Sequence, residues 1–452
     1  MKNAQSGLSS NLQPAAGPAP IEDADDALYR KIGRRIIPIL MLCYVVAYLD
    51  RVNIGFAKLQ MIEDLGLDNA VYAMGASIFF WGYMLFEVPS NILLHRLGAR
   101  VWITRIMITW GIASGAIAFT APLASLFGVQ NSTMFYILRF LLGICEAGFF
   151  PGVVLYVNQW FPIKRQSRVF SIFLAALPVS LILGGPLSGW LLRSTHGLHS
   201  FGGWQWLLVL EAAPAVLMGL VVWFALASSA ETASWLSPAE KQAVQANLAR
   251  NTEHKSHRFS AALRDVRLWL LMGILLTFNT GFYGLSFWLP TIIQNSGVQD
   301  PLHIGLLSAI PYIAGGLAMF FNARHSARTG ERQFHTAIPA LIGGVGLILS
   351  AMFASSVPAS MTFLTIAAAG ILGMMPVFWT LPGTILSGAA AAAGIALINS
   401  IGSLSGVAGS FISSIAQNVT GDINNGTYVL GFSLLVAAGL AMLLPRKTFQ
   451  ES

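Results

Sequence analysis

Charge is what this sequence has least of. Asp, Glu, Lys and Arg make up 10% of its 452 residues, where a soluble chain carries roughly 25%, and apolar residues make up 55%. A soluble fold with that balance would expose wide apolar patches and aggregate. Disorder needs the opposite balance, low hydrophobicity and high charge. Cysteine is nearly missing. Cys43 and Cys145 are too few for a disulfide framework, and both sit in apolar runs, where a thiol behaves as a small hydrophobe. The eight histidines fall in loops or at the ends of apolar runs, and no His-x-x-x-His pair occurs, so a metal-centred membrane enzyme finds no ligand set. No nucleophile–base pairing stands out either. What remains is an all-α polytopic membrane protein.

Runs of roughly 20 predominantly apolar residues, the length that crosses a bilayer, read as twelve transmembrane helices. The first six are 36–57, 71–94, 101–121, 134–157, 169–192 and 205–228; the second six are 268–290, 303–322, 335–355, 361–386, 393–418 and 428–445. Lys and Arg fall almost wholly on the side of the chain ends. The exceptions are Lys58 and Arg193, read in opposite-side loops, and Arg51 and Arg139, inside spans. By the positive-inside rule both termini are expected to be cytoplasmic. The net charge of +7 is therefore topological and directed at lipid; it calls for no nucleic-acid partner. Residues 1–27 are polar, Pro- and Ala-rich and lack the apolar core of a secretory signal, so a disordered tail is expected there.

The expected domain organisation is a cytoplasmic N-terminal tail (1–35), a six-helix bundle (36–228), a central cytoplasmic loop (229–267), a second six-helix bundle (268–445) and a short C-terminal tail (446–452). Within the central loop, Ser237-Pro238-Ala239-Glu240 has the pattern of a helix start. The halves repeat weakly: Arg96-Leu97-Gly98-Ala99-Arg100 follows the second span of one, and Arg328-Thr329-Gly330-Glu331-Arg332 the second span of the other. Internal repeats with a midplane site between them are a common transporter design.

Several segments carry a family resemblance. The 6+6 plan with Asn91-Ile92-Leu93-Leu94-His95-Arg96-Leu97-Gly98-Ala99-Arg100 resembles the major facilitator superfamily, whose second-to-third-span motif it follows apart from Asn91 at the first Gly and His95 at the acid. Tyr48-Leu49-Asp50-Arg51-Val52-Asn53-Ile54-Gly55-Phe56-Ala57, Gly143 through Gly152, Gly203-Trp204-Gln205-Trp206, Phe378-Trp379-Thr380-Leu381-Pro382 and Ala396 through Gly402 are similar to the anion:cation symporter branch. Within that branch the sequence looks most like the 4-hydroxyphenylacetate and tartrate type permeases. The resemblance spans about residues 30–445 and implies two pseudo-symmetric six-helix bundles that move a small organic anion with protons by alternating access.

An ionisable side chain at bilayer depth costs roughly 2.5–3.5 kcal/mol and is by default a functional candidate. Asp50, Arg51, Arg139, Glu146 and Glu87 lie at such depth, with Glu211 nearer a span end. Arg139 precedes Glu146 by seven residues and shares its helix face. Arg51 stays protonated, and its planar fork suits a carboxylate, which makes it the anion anchor. Burial favours the neutral form of an acid and a neighbouring arginine the ionised form, so a substrate carboxylate that takes Arg51 leaves an acid free to accept a proton. The alternative is that these charges only neutralise one another.

By resemblance, Asp50 and Glu146 carry protons and Arg51 binds substrate, with Arg139 in the same charge network. Tyr83, Trp379 and Asn399 match substrate-contacting positions of the family, and Tyr48, three residues before Arg51, joins them. Glu87 and Glu211 are expected to be structural. Phe282, Tyr283, Phe287 and Trp288 line either an outer gate or the core. The position where sugar-acid symporters hold a hydroxyl-binding Gln falls on Ala176, inside the apolar Phe173-Leu174-Ala175-Ala176-Leu177-Pro178. Unpaired hydroxyls there would cost on the order of 1–3 kcal/mol each, so an aromatic or short apolar acid such as 4-hydroxyphenylacetate fits better than a polyol. The alternatives are a sugar-acid or tartrate-type dicarboxylate symporter and an anion exchanger or uniporter. No cofactor beyond the coupling proton is expected; the protein is expected to act as a monomer in a bacterial-type inner membrane.

Overall fold

The computed structural model describes residues 21–249, 266–382, 388–420 and 423–444. Among these there is helix and no strand. The helices are α1 (Ile21–Leu65), α2 (Asn69–Leu97), α3 (Ala99–Phe127), α4 (Asn131–Trp160), α5 (Ile163–Leu174 continued by Ala176–Ser194), α6 (Gly203–Ala225), α7 (Val266–Asn295), α8 (Pro301–Thr329), α9 (Gln333–Met352), α10 (Val357–Phe378), α11 (Gly388–Thr420) and α12 (Ile423–Met442). Eleven described helices are long and apolar enough to cross a membrane. The remaining one, α11, packs along α2, α7 and α12. Phe224 (81% exposed), Phe320 and Phe432 stand on the outside of the bundles, as suits a lipid-facing surface.

Packing follows the repeat. In the first half α1 packs on α5 and α6, α3 on α4 and α6, and α2 on α4. Adding six to each label gives the second half: α7 on α11 and α12, α9 on α10 and α12, and α8 on α10. Between the halves, α1 meets α7, and the α2–α11 contact is matched by α5–α8. Local chemistry repeats as well. Asp68 caps α2 by accepting from the Val71 amide at 2.8 Å, and Asp300 caps α8 through Leu302 N at 2.8 Å. Gly98 and Gly330, the shared glycines of the short repeat, both sit at positive φ, +87° and +68°, where a Cβ would be strained.

Two expectations change. Helix α1 is longer than hydropathy marked: it begins by Ile21 and runs to Leu65, so Ile21–Ala27 are helical and the rest of the expected tail lies outside the described residues. Lys58 is accordingly not in a loop but inside α1 and buried. The helix continues because Leu59–Leu65 offers good helix formers, and Asn131 Nδ2 caps its end on Leu65 O at 3.0 Å. In the central segment, Pro238–Ala249 is a helix with a reciprocal capping box, Ser237 N to Glu240 Oε2 at 2.7 Å and Glu240 N to Ser237 Oγ at 3.3 Å. Lys31 Nζ reaches Glu240 at 2.8 Å, docking this helix on the start of α1. The start of α1 and the central helix thus share one end of the molecule, called the terminal end below; the opposite is the far end.

Helix α4 breaks in its middle. Glu146 ends one piece, Gly148 takes φ +89°, and Phe149 starts the next. Pro151 has no N–H to donate to Ala147 O four residues back. Ser90 Oγ of α2 donates to that carbonyl instead, at 2.6 Å, and accepts from Trp102 Nε1 of α3 at 2.8 Å. Ser90→Ala should orphan both buried groups at roughly 1–3 kcal/mol each. The thermal midpoint of the purified protein should drop clearly; an unchanged midpoint removes Ser90 from this role.

The turn between α8 and α9 gathers three donors on one carboxylate. Glu331 accepts from Phe334 N at 2.7 Å, His335 N at 3.2 Å and His335 Nδ1 at 2.6 Å. Partial burial pushes its carboxyl up, but these donors outweigh burial and hold it below the ordinary value of 4.5. A lowered acid stabilises the fold above its unfolded value and loses that contribution as pH falls through the folded one. The wild-type thermal midpoint should therefore fall more steeply than that of Glu331→Gln as pH drops below 4.5; parallel curves would discount the turn.

Candidate functional site

One stripe of α1 faces the other bundle. Tyr44, Tyr48, Arg51, Gly55 and Lys58 recur at spacings of three and four, which puts them on one helix face. Gly55 is required there: a Cβ would lie 2.9 Å from Phe287 O of α7. Arg51 stands 14 residues before the far end of α1, about 21 Å deep at 1.5 Å per residue. Glu146 of α4 and Tyr83 of α2 lie at about the same depth by the same rise, counted from Asn131 and Asn69. The three meet.

Arg51 Nη2 forms an ion pair with Glu146 Oε1. The guanidinium carbon lies 5.2 Å from the Tyr48 ring, 5.7 Å from Phe79 and 5.9 Å from Tyr83. The Arg51 side chain keeps 15% of its surface open, and its Nε has no hydrogen-bond partner among the described residues. A planar fork with one arm on a carboxylate, donor capacity unused and aromatic walls is chemically suited to a second carboxylate.

Asp50, next in sequence, points the other way. Trp110 Nε1 and Ser114 Oγ of α3 donate to it, and Asn53 Nδ2 reaches it at 3.2 Å. The carboxylate is buried inside the first bundle with three donors, apart from the Arg51–Glu146 pair. Arg139 donates to Gly75 O at 3.2 Å and lies 5.0 Å from the Phe79 ring, the ring that Arg51 also approaches. Glu211 is buried and accepts from Ser188 Oγ at 2.8 Å.

The structure therefore groups Arg51, Glu146, Tyr48 and Tyr83 and sets Asp50 and Arg139 beside them. Trp379 follows the end of α10, about 33 Å from the far end by helix rise, and its ring packs on Phe378 at 5.6 Å. Asn399 of α11 crosses between the bundles: its Nδ2 lies 3.4 Å from Glu87 Oε1 of α2. Glu87, read from sequence as structural, is buried one turn below Tyr83 on the same face. That spacing, Phe79, Tyr83, Glu87, was its available signal.

The span-7 aromatics close the far half. Phe80 lies 5.0 Å from Tyr283 and 6.1 Å from Phe287, ring to ring, and Tyr72 meets Trp288 edge-on at 5.7 Å. Tyr72 Oη reaches Phe287 O at 3.5 Å, Ser77 Oγ reaches Val407 O at 3.4 Å, and Arg193 pairs with Asp300 at 3.0 Å. A Cβ on Gly185 would lie 2.6 Å from Gly305 O. All these contacts join one bundle to the other.

The charges break the two-fold symmetry of the skeleton. Asp50, Arg51, Lys58, Glu87, Arg105, Arg139, Glu146 and Glu211 lie within helices of the first half, whereas the stretches 268–299, 301–323 and 333–421 contain no Asp, Glu, Lys or Arg at all.

Comparison with known proteins agrees with this architecture. The family model described as Major Facilitator Superfamily matches residues 40–410. A Pseudomonas putida protein named for metabolite transport, NicT, is 41% identical over 430 residues, covering 94% of this chain and 96% of that one. An Agrobacterium vitis protein named for tartrate transport is 45% identical over 427 residues, covering 94% and 96%. The solved structure of a D-xylose–proton symporter superposes with a TM-score of 0.73 at 16% identity, covering 92% of this chain and 99% of that one. The chain belongs to the major facilitator superfamily and is a multi-pass membrane transporter, not an enzyme.

Proposed function

We propose that the protein is a proton-coupled symporter of a small organic carboxylate, working by alternating access across a bacterial inner membrane with both termini cytoplasmic. The observation that carries this reading is the Arg51–Glu146 ion pair at mid-depth, on the face of α1 that looks across to the second bundle. A cargo carboxylate competes with Glu146 for the guanidinium. Once displaced, the Glu146 carboxylate is a buried charge without a partner, which favours its protonated form. Anion and proton then support each other's binding, as symport requires, and the coupling is reciprocal. Asp50, held by Trp110, Ser114 and Asn53, is the second proton site; Arg139 keeps the local field positive. One monocarboxylate with one proton moves no net charge. A second proton would add about 2.3 kcal/mol per 100 mV of membrane potential.

The wall beyond Tyr48 favours a cargo with an aromatic or short apolar body. Tyr44 packs 4.4 Å from Phe173 and 6.4 Å from Phe150, ring to ring, and Ala176 is buried beside Phe173. No side chain in that group competes for several hydroxyls. A 4-hydroxyphenylacetate-like acid suits it. The second reading, a tartrate-type hydroxy-acid, is favoured by the Glu87–Asn399 pair across the bundles and by the name of the Agrobacterium relative. The path lies within one chain, so the monomer is the working unit, and no cofactor besides the proton enters.

Arg51→Ala should abolish uptake in vesicles while the protein still inserts and folds. Glu146→Gln should lose accumulation against a gradient yet keep binding and exchange; undiminished gradient-driven uptake would remove Glu146 from coupling. A thermal-shift panel of aromatic acids, hydroxy-dicarboxylates and sugar acids on the purified protein should single out the aromatic acids. Selective stabilisation by a polyol acid would overturn the reading of Ala176.

A further inference from the structure

Lys58 is a buried side-chain amine with no carboxylate beside it among the described residues. Its side chain is 4% exposed. Nζ lies 3.7 Å from the centre of the Trp288 ring and 5.0 Å from that of Tyr72, and donates to Thr291 Oγ1 at 3.2 Å. Cation–π contacts and one hydroxyl stand where a counter-ion would. The Trp288 indole N–H is itself buried without an acceptor among the described residues. A lysine amine held by one hydroxyl and an indole N–H therefore meet where both halves contribute: Lys58 and Tyr72 belong to the first bundle, Trp288 and Thr291 to the second.

The position matters as much as the chemistry. Lys58 is seven residues from Arg51 on the same face of α1, two turns or about 10 Å nearer the far end. Between them Gly55 touches the Phe287 backbone, so the two cations are separated by the contact that must part when the far end opens. Parting the bundles takes Trp288 and Thr291 away from Lys58 and leaves its ammonium facing the mouth.

We propose that Lys58 is an anion-sensing latch: closed, it straps the far end through Trp288 and Thr291; open, it is the first binding site for the carboxylate of the cargo, which passes from it to Arg51. An anion that can pair with Lys58 only after the bundles part shifts the population toward the parted state. The cargo thus opens its own entrance. This inference rests on the carboxylate reading above.

The test places a single cysteine at Ile292→Cys, one turn past Trp288 and buried in the closed state, in a chain with Cys43→Ala and Cys145→Ala. Labelling by a membrane-impermeant maleimide from the far side is followed with and without 4-hydroxyphenylacetate. With Lys58 present, the acid should speed labelling at least threefold. Lys58→Gln should label fast without the acid and no longer respond to it, and Lys58→Arg should restore the response. Acceleration by the acid that survives in Lys58→Gln would overturn the proposal, as would a basal rate unchanged by Lys58→Gln. If no acid of the thermal-shift panel binds, the carboxylate reading fails by itself. The latch then stands or falls on the basal rate of Lys58→Gln alone.

Discussion

A guanidinium and a carboxylate kept together away from water, Arg51 and Glu146, constrain everything around them. Either one left alone at that depth would be an uncompensated buried charge, a loss on the order of 3–5 kcal/mol. Helices α1 and α4 must therefore arrive at the same depth with these faces opposed. The break after Glu146 serves that need, because Gly148 and Pro151 end the regular helix where the acid must stand, and Ser90 takes up the carbonyl that the break releases. The aromatic rings of Tyr48, Phe79 and Tyr83 then stand around the guanidinium.

The two acids of the first bundle sit in unlike surroundings. Glu146 answers to a cation that faces the second bundle, whereas Asp50 answers to neutral donors of α3 and α1. The two neighbours in sequence, Asp50 and Arg51, thus serve opposite faces of α1, one bound to α3 and the other to α4.

Much of the fold was legible from residues alone. The twelve apolar runs, the repeat around Gly98 and Gly330, and the helix start at Ser237 all rest on local rules of length, backbone conformation and capping. The extension of α1 to Leu65 was not legible from hydropathy, since Lys58, Glu63 and Asp64 lower the average while leaving helix propensity intact. For the site, resemblance brought out Arg51, Glu146, Tyr48 and Tyr83, which lie together. Trp379, at the end of α10, packs on Phe378. Glu87 reads from sequence as structural and Lys58 as a loop residue, because each is paired with a residue of the other half, Asn399 or Trp288, which hydropathy does not show.

The uneven distribution of charge between two halves of equal skeleton has an evolutionary corollary. Where the ions at mid-depth belong to one half, the other half can exchange side chains that do not touch them, Trp288, Thr291 and Asn399 apart, without leaving an ion stranded in the membrane.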